Sequence, residues 1–175
     1  MITGGAGFIG ANLVLHWLRH HPDDLVVNFD ALTYAGNLAN LEDVKNLPNY
    51  RFFHGDLRNA LEISKAFSEH NIEAVIHLAA ESHVDRSIHG PADFIETNVT
   101  GTFNLLETTR EFWGDDLSKH RILHVSTDEV YGSLGSTGKF LESTPYAPNS
   151  PYSSSKAASD NLVISASRST STICS

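Results

Sequence analysis

The sequence predicts an α/β fold built on a doubly wound parallel sheet. Two observations carry this: short β-rich runs alternate with longer amphipathic ones, and a glycine-rich turn stands directly ahead of the first amphipathic run. No fixed repeat period competes with that pattern. The strand candidates are 25–29, 51–54, 74–78 and 122–126, each rich in Val, Ile, Leu or Phe. Between them, Ile9, Leu13 and Trp17 fall at i, i+4 and i+8, which predicts a crossover helix with that stripe on the sheet. A second crossover is predicted over 94–113, where Phe94, Ile95, Val99, Phe103, Leu105 and Leu106 supply the apolar face. Strands joined in this way place a ligand at their C-terminal edge. Segment 132–150, rich in Gly, Ser, Thr and Pro, is expected to cross that edge as an irregular loop.

Both ends carry expectations. Only Met1, Ile2 and Thr3 precede the glycine turn, against about five residues for a typical central strand. The first strand is therefore expected to be mostly missing. At the other end, 164–175 loses apolar periodicity and fills with Ser and Thr, which predicts an unstructured or aberrant tail. The expected organisation is one incomplete domain over 1–163, the N-terminal portion of a larger unit, with the substrate domain absent.

Composition narrows the function classes. With 41% hydrophobic and 19% charged residues the chain can bury one sizeable core. Its formal charge of −9 repels phosphate backbones and anionic lipid, so neither nucleic acid nor membrane is an expected partner. A single cysteine, Cys174, allows no disulfide framework, and none of the ten histidines stands in a metal-ligand spacing, so no metal is expected. The start of the chain lacks a basic and then apolar leader, and no run approaches about eighteen apolar residues. A cytoplasmic setting is expected. No serine sits in a G-x-S-x-G elbow, so hydrolase chemistry has no support.

The glycine turn is the first functional motif. Gly5-Ala6-Gly7-Phe8-Ile9-Gly10 fits G-x-G-x-x-G, and Gly4, Gly7 and Gly10 fit the related G-x-x-G-x-x-G. Such glycines let the backbone turn tightly and approach a diphosphate, which then sits on a helix N-terminus where free N–H groups and the dipole favour negative charge. Asp30 ends the second strand twenty residues after Gly10, where a carboxylate can bond ribose hydroxyls. The pair predicts a Rossmann-like dinucleotide site. No Arg lies between Arg19 and Arg51 to pair a 2′-phosphate, so NAD is preferred to NADP.

Tyr152 and Lys156 are four residues apart on a predicted helix and share one face. An ammonium near a phenol lowers its pKa, which suits a base that takes the proton of an alcohol undergoing hydride transfer. Thr127, at the C-terminal end of the last strand, is placed to hold a sugar hydroxyl against Tyr152. Asp128 and Glu129 follow it. Adjacent carboxyl groups of different pKa suit elimination of water, one removing a carbon-bound proton and one protonating the leaving hydroxyl, although two acids in a polar loop are equally expected on a solvated surface. His83 and Asp85 are further candidates to line the cleft.

Taken together, TGGAGFIG, the run 30–37 (DALTYAGN), Gly55-Asp56-Leu57, 78–87 (LAAESHVDRS), Glu96-Thr97-Asn98, 126–132 (STDEVYG) and 151–156 (PYSSSK) resemble the dTDP-glucose 4,6-dehydratase family of extended short-chain dehydrogenase/reductases, over about residues 1–163. The resemblance implies a lyase that converts dTDP-glucose to dTDP-4-keto-6-deoxyglucose with tightly bound NAD, in deoxysugar synthesis of the rhamnose type. It implies that Tyr152, Lys156, Thr127, Asp128 and Glu129 are catalytic. Cofactor contacts implied in the same way fall on Gly4, Gly7, Phe8, Ile9, Gly10, Asp30, Ala31, Leu32, Thr33, Asp56, Leu57, Leu78, Ala79, Ala80, Glu81, Ser82, Thr97, Tyr152 and Lys156, with Ser82 and Thr127 near the sugar. A homodimer through helices of this half is implied as well, together with a C-terminal portion that binds the nucleotide of the sugar. Two other readings stay open. A related epimerase or decarboxylase shares the glycine turn and the Tyr/Lys pair, and a non-catalytic NAD-binding module needs neither carboxylate.

Overall fold

The computed structural model describes residues 1–114 and 119–170. Its centre is one parallel sheet of β1 (Ile2–Thr3), β2 (Val26–Asp30), β3 (Tyr50–His54), β4 (Ala74–His77) and β5 (Arg121–His124), in the order β3-β2-β1-β4-β5. That order is the doubly wound one, with β1 at the middle and the strand order reversing beside it. The first strand comprises two residues, yet it is paired on both sides: Ile2 with Asn28 and Ile76, Thr3 with Phe29 and His77.

Helices cover both faces. α1 (Phe8–His20) lies on one, while α2 (Ala60–His70), α5 (Gly101–Trp113) and α6 (Pro151–Thr170) lie on the other. Two short helices, α3 (Val84–His89) and α4 (Pro91–Phe94), follow β4, and α4 runs through a π turn (Ile95–Thr100) into α5. The period-2 alternation of β2 divides its side chains between the cores. Val27 and Phe29 face Ile63, Phe67, Leu105 and Trp113, whereas Val26 faces Val14, Leu18 and Leu41. Each such side chain contributes about 1.5–3 kcal/mol on full burial, and the two clusters clamp the sheet from opposite sides.

Three expectations shift. The buried face of α1 centres on Gly10, Ala11, Val14 and Leu18; of the expected stripe, Leu13 and Trp17 pack partly buried at its margin, while Ile9 does not. Ile9 is 64% exposed because the helix opens at the glycine turn, which sends Phe8 and Ile9 outward over the strand ends. In the 94–113 stretch Phe94, Leu105 and Leu106 are buried as expected, but Ile95 and Phe103 stand about half exposed, since the π turn offsets the stripe. Finally, 164–170 continues α6 instead of starting a tail. Val163 is buried, Leu162 and Ala166 pack on the same core, and the Ser165 and Ser167 hydroxyls donate to the Leu162 and Ile164 carbonyls, so serine is accommodated within the helix. Residues 171–175 of the expected tail, with Cys174, lie outside the described residues.

The loop between α6 and the turn after β5 holds no helix or strand over 133–150, as its composition predicts. It is nevertheless anchored, through Ala147 N–H to the Val130 carbonyl at 2.9 Å.

The glycine turn packs too tightly for a side chain at Gly4, Gly5 and Gly10, most severely at Gly10. A methyl on Gly10 would stand 2.1 Å from the Gly4 carbonyl oxygen and 2.7 Å from the Gly5 Cα. Gly10→Ala is expected to lower the unfolding free energy by about 1–3 kcal/mol, the usual cost of overpacking, as read from chemical denaturation. Unchanged stability would show that the turn relaxes freely.

Candidate functional site

A cleft of about 620 Å³ runs along the C-terminal ends of the strands. Most of the expected cofactor residues line it: Gly4, Gly7, Phe8 and Ile9 from the turn and α1, Asp30, Ala31 and Thr33 after β2, Asp56 and Leu57 after β3, Leu78, Ala79, Ala80, Glu81 and Ser82 after β4, and Thr97 from the π turn. Gly10 is turned inward against Gly4 instead. Leu32 is not among the lining residues. It sits at φ +50°, a left-handed conformation stabilised by its N–H on Asp30 Oδ1 at 2.8 Å.

The floor and walls fit a dinucleotide. At Gly7 a Cβ would meet only ordinary contacts, Gly4 O at 3.4 Å and Ala35 O at 4.0 Å, so the protein itself leaves that space on the cleft side open. It lies one residue ahead of the N-terminus of α1, where free N–H groups favour an anion. Asp30 accepts the Ala6 N–H at 2.9 Å as well as that of Leu32, which fixes its carboxylate at the cleft edge. Glu81 also lines the cleft, and its Oε2 is buried without a hydrogen-bond partner among the described residues.

Sequence reading missed the cations of this cleft. Arg58 lines it and is held by Asp56 at 2.6 Å, with Glu96 at 3.8 Å. Arg86 also lines it, its guanidinium 4.0 Å over the ring of Tyr34. Neither lies in the stretch between Arg19 and Arg51: Arg58 enters from the loop after β3 and Arg86 from α3. His83 and Asp85, expected at the cleft, are not among its lining residues.

Asn98 joins the cleft to the second group of residues. Its amide oxygen accepts the Glu81 N–H at 2.8 Å, and its amide nitrogen donates to the Glu81 carbonyl and to Ser155 Oγ, each at 2.9 Å. Ser155 stands between Tyr152 and Lys156 on α6. The π turn directs Asn98 inward, fully buried, and Thr102 one turn later donates to its carbonyl while meeting His77 Nε2 at 3.0 Å.

Tyr152 and Lys156 are both buried, and they share a face of α6 as the spacing predicts. Their electrostatics differ from the expectation. Burial pushes the Tyr152 phenol up, Thr127 opposes this through a side-chain hydrogen bond, and Glu129, Asp128 and Asp160 add to the rise. Lys156 is not among the groups that shift it, and its ammonium donates to the Val125 carbonyl at 2.8 Å. Burial also lowers the Lys156 ammonium, with Asp160 opposing. Thr127 caps a short 3₁₀ turn (Asp128–Tyr131) by accepting the Glu129 N–H, which places both acids at the end of β5 within electrostatic reach of the phenol.

Beneath them lies a polar layer with no counterpart in the sequence reading. Asp160, one turn after Lys156, accepts from Ser126 Oγ at 2.5 Å, Tyr146 Oη at 3.0 Å and His124 Nε2 at 3.0 Å. Burial alone would raise its carboxyl, but those bonds outweigh it and hold it below the ordinary carboxylate range. Burial and the Asp160 charge push Tyr146 up to about 12. Among the described residues no His, Cys, Asp and Glu cluster could hold a metal ion, and no helix is long and apolar enough to cross a membrane.

The GDP-mannose 4,6 dehydratase family model matches residues 1–175. The chain belongs to that family. Among the family's curated members it is 55% identical over 167 residues to a probable dTDP-glucose 4,6-dehydratase of Sinorhizobium fredii and 54% identical to the dTDP-glucose 4,6-dehydratase of Xanthomonas campestris, covering 93% of this chain and 47% of each relative. The chain thus spans about half the length of the curated relatives it matches. Among solved structures it matches a dTDP-glucose 4,6-dehydratase of Bacillus anthracis in complex with NAD (TM-score 0.86, 42% identity, 99% of this chain and 51% of that one). It also matches one of Streptomyces venezuelae with NAD and TYD bound (TM-score 0.88, 46% identity, 98% and 52%). A Thermus thermophilus UDP-glucose 4-epimerase complex with NAD has the same fold at 30% identity (TM-score 0.86, 99% and 52%).

One consequence of the site can be measured directly. His77 is buried between Thr3 and Thr102, and burial, then His124 and Lys156, pull its imidazole well below its ordinary value. Below about pH 6.5 the unfolded chain takes up a proton that the folded one refuses, so His77 makes stability fall with acidification by up to about 1.4 kcal/mol per pH unit. Denaturation midpoints at pH 7 and pH 5 are expected to show this drop, and His77→Gln is expected to flatten it. An equal slope in the variant would assign the drop to other groups.

Proposed function

We propose that residues 1–163 form the NAD-binding domain of a dTDP-glucose 4,6-dehydratase, which converts dTDP-glucose to dTDP-4-keto-6-deoxyglucose for deoxysugar synthesis. The observation that carries this reading is the convergence of Thr127, Asp128 and Glu129 on the Tyr152 phenol at the end of β5, next to a cleft with a dinucleotide's shape and donors. A phenol, a hydroxyl donor and two carboxyl groups are the set that oxidation followed by loss of water requires. The Bacillus anthracis and Streptomyces venezuelae dehydratase structures, with NAD bound, support the cofactor.

When bound, NAD would supply the hydride acceptor for oxidation at C4 of the sugar and the hydride donor for reduction at C6. Tyr152 takes the proton of the C4 hydroxyl, which Thr127 holds in place. Burial raises this phenol in the unliganded chain, and positive charge placed beside it would lower it toward the phenolate that takes the proton. Lys156, with one donor on Val125, keeps two for the ligand. Glu129 removes the C5 proton and Asp128 protonates the departing C6 hydroxyl. Ser82, in the cleft wall, contacts the sugar side, while Asp30 bonds the adenosine ribose. The protein works in the cytoplasm as a homodimer. The exposed Ile95, Phe103 and Phe112 on the π turn and α5 support an interface on those helices.

The test is formation of the alkali-absorbing 4-keto-6-deoxy product from dTDP-glucose, beside calorimetric NAD binding. Glu129→Gln is expected to lower kcat by roughly 10²–10⁴, the range of a lost general base, with NAD affinity unchanged. Turnover that survives both Glu129→Gln and Asp128→Asn would rule out dehydration and favour an epimerase.

A further inference from the structure

The sheet order puts β1 between β2 and β4, so the glycine turn that leaves β1 lies between the loops that leave its two neighbours. Tyr34 belongs to the loop after β2 and Arg86 to α3 after β4. Their contact, guanidinium to ring at 4.0 Å, therefore passes across the turn from one wall of the cleft to the other. The loop carrying Tyr34 is fixed at both ends. Leu32 N–H is bonded to Asp30, Gly36 N–H to the Thr33 carbonyl, and Asn37 N–H to the Ala6 carbonyl within the glycine turn itself. Tyr34 stands at its apex, half exposed.

Charge singles out Arg86. The chain carries a net −9, and a ligand diphosphate needs a local positive field to stay. Arg58 is already balanced by Asp56 and Glu96, whereas Arg86 has no carboxylate within ion-pair distance among the described residues. An aromatic face holds a guanidinium in place without neutralising it, which leaves the full charge available to an anion.

We propose that Tyr34 and Arg86 form a clasp over the glycine turn that retains the diphosphate of a bound dinucleotide. The inference rests on the NAD-binding reading above and adds the residues that govern release. Binding to the turn needs the clasp to part, and once the ligand is seated Arg86 faces the diphosphate from above while the N–H groups of α1 hold it from below. Loss of either partner accelerates escape without touching the floor of the site.

The experiment is stopped-flow release of NAD from the full chain, with equilibrium binding of ADP and of adenosine. Arg86→Ala and Tyr34→Ala are each expected to raise the NAD dissociation rate roughly tenfold, Arg86→Lys by less, since lysine keeps the charge but not the planar stacking. Arg86→Ala is expected to weaken ADP and leave adenosine unchanged. As a control for surface charge, Arg110→Ala, on the far end of α5, is expected to release NAD at the wild-type rate. Release within twofold of wild type in both Arg86→Ala and Tyr34→Ala overturns the clasp while leaving NAD binding standing. Equal weakening of adenosine and ADP also overturns it, by assigning the contact to the nucleoside. A wild-type chain that binds no NAD removes the cofactor reading and the clasp together.

Discussion

The side-chain amide of Asn98 is the interaction on which the site depends. One group satisfies both backbone polar atoms of Glu81 and reaches across to Ser155, so the loop after β4, the π turn and α6 are set in a single register. Buried polar networks of this kind cost little when complete and much when broken, because each freed partner is stranded away from water. The cleft wall and the Tyr152/Lys156 face are held together by this amide instead of by apolar packing, which has no directional preference.

A second fully engaged group sits under the other end. Asp160 gathers a hydroxyl from the end of β5, a phenol from the long loop and an imidazole from within the strand. The irregular segment between β5 and α6 thus has a fixed course without regular structure of its own. The negative charge also offsets part of what burial does to the Lys156 ammonium, so Asp160 is coupled to the Tyr152/Lys156 face electrically as well as mechanically.

Much of this was legible in the sequence where a local rule sufficed. Strands at β2, β3, β4 and β5 fall within a residue or two of the alternating and apolar runs, and the glycine spacing with Asp30 located the cleft. What escaped was decided by contacts distant in sequence. Ile9 dropped out of the buried stripe of α1 because the glycine turn ending at Gly7, not the helix period, sets where the helix leaves the strand edge. The serine-rich stretch after Val163 stayed helical because its hydroxyls bond back to the preceding turn and Ala166 finds the core, neither of which composition reveals. The raised Tyr152 phenol has the same origin. Spacing shows that Lys156 shares its face, but only the fold shows that burial and the nearby carboxylates raise the phenol.

The π turn at Ile95–Thr100 has an implication for how this chain can vary. A π turn holds one residue more than the α-helical ladder needs, so it is equivalent to a tolerated insertion. Removing a single residue there would let α4 and α5 merge into continuous α-helix with Leu105 and Leu106 still facing the sheet, whereas the present length wound as α-helix throughout would rotate them by about 100° relative to Phe94. This stretch can therefore shed its extra residue without moving the core, while a further insertion would carry Leu105 and Leu106 off it.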